Sequence, residues 1–363
     1  MKTSYSDCST ETLHRLHITP LENVCIPKDS DTPSLTETKI ANLLLPTSVN
    51  VLKVSPAAFT LSKDEATPNA VLEMLKKYGV CTIKQLFDDS EIDSINKELD
   101  PIFEEKKNDP RLFPKETIRV TNTVSKAPSV VNKIMSHPLN LEISKKTLDQ
   151  ANAFWVGENL NIGYCPAIVT SSIAFQVSPS AAVQALHRDD QSDHNIRKQQ
   201  SFENFNFNSE TQIGFSVALT RTTRENGATR FIPGSHLWDH LQKPNQEDCI
   251  YNEMEKGDAT FMLASVLHSA ASNLTENEVR RIIILFMGRG TYRQKENIFF
   301  DADLNYFRQF SVDQLKRLGF GMSEPYGNMF ELQDFLGYLK YDYKRRTNYS
   351  DICKVIPEKT RFN

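Results

Sequence analysis

Hydrophobic positions along the chain fall into three regimes. Up to about residue 62 no period is sustained, Ser, Thr, Pro and Asp dominate, and apolar residues come in short pieces such as Ile40-Ala41-Asn42-Leu43-Leu44-Leu45. An N-terminal extension is expected there, part flexible, its apolar piece able to dock on the core or on a second subunit. Near Thr67 the pattern turns helical: Val71, Met74, Leu75 and Tyr78 share a face, and Gly79 ends the turn. Val80-Cys81-Thr82-Ile83 predicts a short strand. A second helix is predicted from Ser90 as N-cap, with Asp93 three residues on and Ile92, Ile95 and Leu99 on one face. From about residue 160 the period shortens to that of strands: Ser172–Val177, Ile213–Leu219, Ala228–Ile232, Ala259–Leu263 and Arg280–Met287. Asn226-Gly227, Pro233-Gly234 and Gly257-Asp258 punctuate them as turns. Short strands preceded by helices predict a mainly β fold with flanking helices, a jelly roll. The expected organisation is an extension over 1–62, a domain over 63–345 and a tail over 346–363. The polar stretch from Gln191 to Glu210, with Phe202, Phe205 and Phe207 interspersed, reads as a lid or substrate loop, or as a plain surface insertion.

Composition narrows the function classes. With 39% hydrophobic and 24% charged residues, the 363-residue chain can bury a core. Its 42 basic and 46 acidic residues balance to −4, without a basic stripe, so neither nucleic acid nor an anionic membrane is expected as a partner. Six scattered cysteines form no CxxC pair and no disulfide ladder, which suits a reducing compartment. Neither the first twenty residues nor any other stretch holds the apolar run of a signal peptide or membrane span, and the cytoplasm is the expected location.

The chemistry concentrates in Gln184-Ala185-Leu186-His187-Arg188-Asp189-Asp190. On a β-strand, positions i and i+2 face the same side, so His187 and Asp189 would offer an imidazole and a carboxylate to one spot while Arg188 faces away. An HxD triplet alone is weak and occurs by chance. A third ligand is found in His268, which follows an apolar strand and opens into Ser269-Ala270-Ala271-Ser272. Two histidines and one carboxylate on one face leave positions free for a bidentate cosubstrate and oxygen, the arrangement suited to non-haem iron(II). Twelve residues after His268, Arg280 opens the apolar strand Arg280-Arg281-Ile282-Ile283-Ile284-Leu285-Phe286. A guanidinium there needs a partner, and its fork matches a carboxylate. The far carboxylate of a dicarboxylic cosubstrate would serve. Arg281, one place on, should face solvent or a surface partner.

The ordered set of HRDD at 187–190, ENGATRFIPGSH at 225–236, KGDATFML at 256–263 and LH-x11-RR at 267–281 resembles the phytanoyl-CoA dioxygenase family. It is more narrowly similar to the fungal branch that tailors alkaloids and meroterpenoids. Arg119-Val120-Thr121-Asn122-Thr123-Val124 and Leu318-Gly319-Phe320-Gly321 with Pro325 match two further segments of that branch, and the likeness spans roughly residues 65 to 340. The resemblance implies a double-stranded β-helix and a dioxygenase using iron(II), 2-oxoglutarate and O2. It implies His187, Asp189 and His268 as iron ligands and Arg280 as the clamp on 2-oxoglutarate. Gln184, Asn122 and Thr229 are implied as cosubstrate contacts, a mostly apolar small molecule as substrate, and a homodimer as the assembly. The Gly-rich run that relatives carry after the distal histidine is here Ser269-Ala270-Ala271-Ser272, and the 191–210 loop has no match; both leave the substrate open.

Other residues carry blander expectations. Asp190 is assigned to support, His194 to exposed surface, His236 to a turn bracing the site and Asp258 to its own turn. Trp155 and Trp238 are expected to pack, as are Phe154, Phe175 and Phe215, with a pocket wall as the second reading. Two rival functions remain: a jelly-roll metalloenzyme of other chemistry, which would not need Arg280, and an inactive binding module, which should have a broken triad.

Overall fold

The computed structural model describes residues 49, 51–107, 109, 115–301, 303–331, 333–340 and 353–356. The apolar piece Ile40–Leu45 lies outside them. In chain order the main elements are β1 (Thr60–Leu61), α1 (Pro68–Tyr78), β2 (Val80–Ile83), α2 (Asp89–Lys107), β3 (Thr117–Val120), α3 (Pro138–Thr147), β4 (Gln150–Val156), β5 (Asn159–Cys165), β6 (Ile168–Val177), β7 (Gln212–Ala218), β8 (Thr229–Phe231), β9 (Ile250–Tyr251), β10 (Ala259–Leu263), β11 (His268–Ala270) and β12 (Arg280–Gly288). Packing begins before residue 63. Phe59 is fully buried, Leu52, Val54 and Ala58 lie on the core, and β1 pairs with β2.

Seven strands form one sheet in the order β1-β2-β10-β7-β12-β6-β3, antiparallel except for β1 with β2. A second, antiparallel sheet has the order β11-β8-β9. Asn252 ties the two: its Oδ1 accepts from the Thr82 hydroxyl and its amide donates to Thr260 Oγ1, both at 2.8 Å. Two antiparallel sheets packed this way, with helices on one outer face, make the jelly roll of a double-stranded β-helix. The alternation in β12 decides the layers. Ile283 and Leu285 join the main core with Phe215 and Val217 of β7 and Ile92, Ile95 and Leu99 of α2. Ile282 turns inward to Ala218, Met254 and Phe175. Phe215 therefore belongs to the core, stacked on Phe261 at 4.3 Å, while Phe175 faces the interior between the sheets.

The helices obey their local chemistry. Thr67 caps α1 by accepting from the Ala70 N–H (3.2 Å), and Gly79 ends it at φ 76°. A Cβ at Gly79 would lie 2.2 Å from Val266 Cγ2 and 2.7 Å from His236 Nδ1, so only glycine permits this approach. The second helix starts ahead of the expected Ser90 cap. Asp88 accepts from the Glu91 N–H (2.8 Å) and Glu91 returns the bond to the Asp88 N–H (3.0 Å), while Ser90 donates to Asp88. The carboxylate is the stronger acceptor and takes the cap.

Sequence periodicity missed the β4–β5 hairpin, which forms a separate small sheet with Lys354–Val355 from the expected C-terminal tail. Its exposed strand breaks one expectation: Trp155 is 61% exposed, whereas Trp238 is buried as expected, with Ile232 and Leu267. Among the described residues no helix is long and apolar enough to cross a membrane.

Candidate metal centre and active site

His187 and Asp189 do not stand on a regular strand, as the HxD alternation suggested. The chain from Ala182 to Leu186 is irregular, His187 makes one isolated antiparallel bridge to His268, and a 3-10 turn begins at Asp189. Arg188 between them is extended (φ −116°, ψ 141°), which suffices to aim both side chains one way. The bridge is reciprocal: His187 N–H to His268 O at 3.1 Å and His268 N–H to His187 O at 3.0 Å. It brings residues 81 positions apart side by side, with ring centroids 4.4 Å apart.

The ring orientations suit a metal. His187 Nδ1 lies 2.9 Å from Ala185 O and His268 Nδ1 3.0 Å from Val266 O, contacts that place the ring proton on Nδ1 and free each Nε2. Those Nε2 atoms meet Asp189: His187 Nε2 is 3.7 Å from Oδ1 and His268 Nε2 3.4 Å from Oδ2. Ligand atoms of all three lie within 4.8 Å of one another. Burial, and then the neighbouring His268, holds the His187 imidazole below its ordinary pKa, which favours the neutral form a metal needs. Among the described residues Asp189 Oδ2 is buried without a hydrogen-bond partner, an arrangement costly unless a cation completes it. The donor set fits a first-row divalent ion.

Arg280, the first residue of β12, shares the inward face with Ile282. It is 2% exposed, and its Nε and Nη1 have no hydrogen-bond partner among the described residues. Burial alone pushes the guanidinium down to about 10. Arg281 takes the opposite face, not to open solvent but to α2: it pairs with Asp100, donates to Gln176 (2.8 Å) and lies 4.8 Å over the Phe103 ring.

The three weaker candidates are placed less uniformly. Gln184 is exposed and its Oε1 accepts from the Ala270 N–H (3.2 Å), beside the bridge. Asn122 sits in left-handed conformation (φ 50°), its N–H on Glu296 Oε2 (3.1 Å) and its Oδ1 buried without a partner. Thr229 is half-buried on β8, paired in register with Ala270.

The supporting residues divide cleanly. Asp190 is buried between Asn195 (2.9 Å) and Arg197 (3.6 Å). Arg197, 3% exposed, also meets Glu210 at 2.7 Å and His236 O at 3.1 Å. The 191–210 loop is thus pinned through a buried cation, which neither reading of it as lid or plain insertion foresaw. His194 is exposed. His236 is fully buried, bonded to Lys76 O (3.0 Å) and edge-on to Phe205, and burial pushes its pKa down to about 3. Asp258 ties its turn to Lys84 and the Gln85 N–H. Three residues next to the metal centre escaped the sequence reading. Gln212 and Lys295 both donate to Asp189 O, at 3.2 and 2.8 Å, and Glu296 holds Asn122. No periodicity or spacing marks them; a charged pair seven and eight residues past Gly288 was the only signal.

Beside Asp189 opens a cavity of about 310 Å³, walled by Ser171, Ile173, Gln191, Phe286, Lys295 and Glu296.

The family model described as phytanoyl-CoA dioxygenase (PhyH) matches residues 75–282, a span holding all seven candidate residues. The chain is 32% identical over 290 residues to dioxygenase peniF of Penicillium patulum, covering 79% of this chain and 94% of that protein. It is 31% identical over 292 residues to dioxygenase himG of Aspergillus japonicus, covering 78% and 90%. Among solved structures, the 2-oxoglutarate-dependent carbocyclase SnoK from nogalamycin biosynthesis superposes with a TM-score of 0.47 at 15% identity, over 69% of this chain and 94% of that one. The chain belongs to the phytanoyl-CoA dioxygenase family and is an iron(II)- and 2-oxoglutarate-dependent dioxygenase.

Proposed function

We propose that His187, Asp189 and His268 hold the iron and that Arg280 binds the far carboxylate of 2-oxoglutarate, with Gln184, Asn122 and Thr229 as further contacts to the cosubstrate. The observation that carries this reading is the convergence of two free Nε2 atoms on a carboxylate whose Oδ2 is buried and has no hydrogen bond among the described residues. The metal and cosubstrate supply oxidation of the substrate by O2, coupled to loss of CO2 and formation of succinate. The chain's own part is to orient and to exclude water. Arg280 neutralises and aims the cosubstrate, the two backbone-locked imidazoles fix the ligand geometry, and the inward apolar residues keep the chamber dry.

The cavity beside Asp189 is the substrate chamber in this reading. Its size suits a small molecule, and Ile173 and Phe286 give it an apolar wall. The substrate is a mostly apolar small molecule, and the step a tailoring oxidation (hydroxylation, desaturation, epoxidation, peroxidation or rearrangement) in fungal alkaloid or terpenoid biosynthesis. Similarity to dioxygenases of Penicillium and Aspergillus supports that assignment. A homodimer in the cytoplasm belongs to the same proposal, and light scattering in solution tests the assembly. The central test is succinate release from 2-oxoglutarate after anaerobic loading with iron(II). Wild type should release it, and His187→Ala and His268→Ala should not; turnover in either variant refutes the ligand assignment. Comparing metabolites of a deletion strain with its parent identifies the substrate as the compound that accumulates.

A further inference from the structure

The segment after β12 returns across the metal centre and touches it at two points. Its backbone is fixed first: the N–H groups of Lys295 and Glu296 both reach Thr170 O, at 2.8 and 3.0 Å. From that anchor the two side chains diverge. Lys295 Nζ donates to Asp189 O (2.8 Å) and lies 3.5 Å from Asp193 Oδ1. Gln212, buried at 1% exposure, reinforces it, donating to Asp189 O (3.2 Å) and Asp193 Oδ2 (3.1 Å) while the Thr170 hydroxyl holds its own Oε1 (3.2 Å). On the other side of that peptide the Asp190 N–H reaches Ala264 O at 3.2 Å, and the Asp189 N–H meets the same carbonyl at 2.8 Å. Glu296 turns the other way. Its Oε2 accepts from the Asn122 N–H (3.1 Å) and the Ser172 N–H (2.8 Å).

We propose that Lys295 and Glu296 form a positioning strap for the reaction, Lys295 holding the peptide of the metal carboxylate and Glu296 holding the Asn122 turn. The physical need is plain. Asp189 lies at the start of a 3-10 turn and not in a ladder, so its carbonyl is held by side chains, Ser192 Oγ at 2.9 Å together with Gln212 and Lys295, and not by strand pairing. A metal ligand must be held to within a few tenths of an ångström, and outer contacts of this kind are what hold it. Asn122, in left-handed conformation, likewise needs an acceptor for its N–H to keep its side chain aimed. One dipeptide on one anchored stretch serves both, so the metal ligand and the cosubstrate contact are set against each other by adjacent residues. The inference rests on the ligand assignment proposed above.

The strap predicts separable effects. Lys295 is partly exposed, so Lys295→Met keeps the stem and opens no cavity. Its metal-free melting temperature should match wild type, while its Mn(II) dissociation constant, measured by calorimetry, should rise about tenfold or more. Lys295→Arg should restore most of that loss. Glu296→Ala should raise the dissociation constant for 2-oxoglutarate by a similar factor at saturating Mn(II) and leave Mn(II) binding within about twofold. Unchanged Mn(II) affinity in Lys295→Met overturns the strap, as does a Glu296→Ala effect that falls on metal and cosubstrate alike. Wild type and His268→Ala are titrated alongside. Equal Mn(II) binding by those two refutes the ligand assignment itself, whereas loss in His268→Ala with none in Lys295→Met refutes only the strap.

Discussion

Arg280→Met should make the ligand-free protein more stable while making it useless as an oxygenase. The guanidinium is 2% exposed, its Nε and Nη1 have no hydrogen-bond partner among the described residues, and burial lowers its pKa to about 10. A depression of that size costs about 3 kcal/mol in the charged form. The sign follows from linkage. For a base with a lowered folded pKa the penalty is fully present below that pKa, here below about 10, and fades as pH rises above it toward the ordinary arginine value. At pH 7 the empty protein bears it in full. Methionine fills nearly the same length without charge, and small packing losses offset part of the gain, leaving roughly 1–3 kcal/mol. For a chain of this size that is a rise of a few degrees in melting temperature. The assay is thermal and urea unfolding with and without Mn(II) plus 2-oxoglutarate. Wild type should gain stability from the cosubstrate and Arg280→Met should gain almost none, ending below wild type under saturation. If the ligand-free variant instead melts well below wild type, the guanidinium is paired in solution and the reasoning about an anion site is wrong.

Three further outcomes are expected. His268→Ala should lose succinate formation by at least about a thousandfold and bind Mn(II) too weakly for calorimetry, measured on folded protein checked by circular dichroism. Arg197→Met should destabilise by about 3–5 kcal/mol in urea, because Glu210 and Asp190 would be left buried without their cation; a loss under 1 kcal/mol would show the network to be dispensable. His236 should make stability fall on acidification. Its folded pKa of about 3 lies below the unfolded 6.5, so the unfolded chain takes up a proton that the folded one refuses, and stability is lost as pH drops through that window. Each pH unit below 6 costs up to about 1.4 kcal/mol, and His236→Gln should flatten that slope in urea titrations at pH 7 and 5.

The interior strands were readable because each alternates or runs apolar between turn residues. Ala259–Leu263 was predicted to the residue, and Arg280–Gly288 differs by one position. The convergence of His187, Asp189 and His268 was readable for a different reason, since HxD and a distant histidine after an apolar strand each place a rare chemistry in a recognisable local setting. The β4–β5 hairpin was not. Its residues Ala151, Asn152, Ala153 and Trp155 are exposed, so no buried face imposes a period on them. Nor was the network around Asp189. Gln212, Lys295 and Thr170 come from three separate parts of the chain, and only the sheet order β7-β12-β6 makes them neighbours. A hydrogen bond to a backbone carbonyl leaves no mark in sequence, because any donor of suitable reach can make it. The Ser90 cap failed on a simpler point, a nearby carboxylate outcompeting a hydroxyl for the same N–H groups.

The single bridge between His187 and His268 has a consequence for how the empty protein breathes. Two backbone bonds join the strandless 182–186 stretch to β11 at this point, with Gln184 and Ala270 paired just beyond. An ion gripped by both rings acts as a rivet through that seam, so opening the seam means releasing the ion. Amide exchange at positions 187 and 268 should therefore slow markedly when Mn(II) is added, while amides of the helix-backed strand β7 hold their rates.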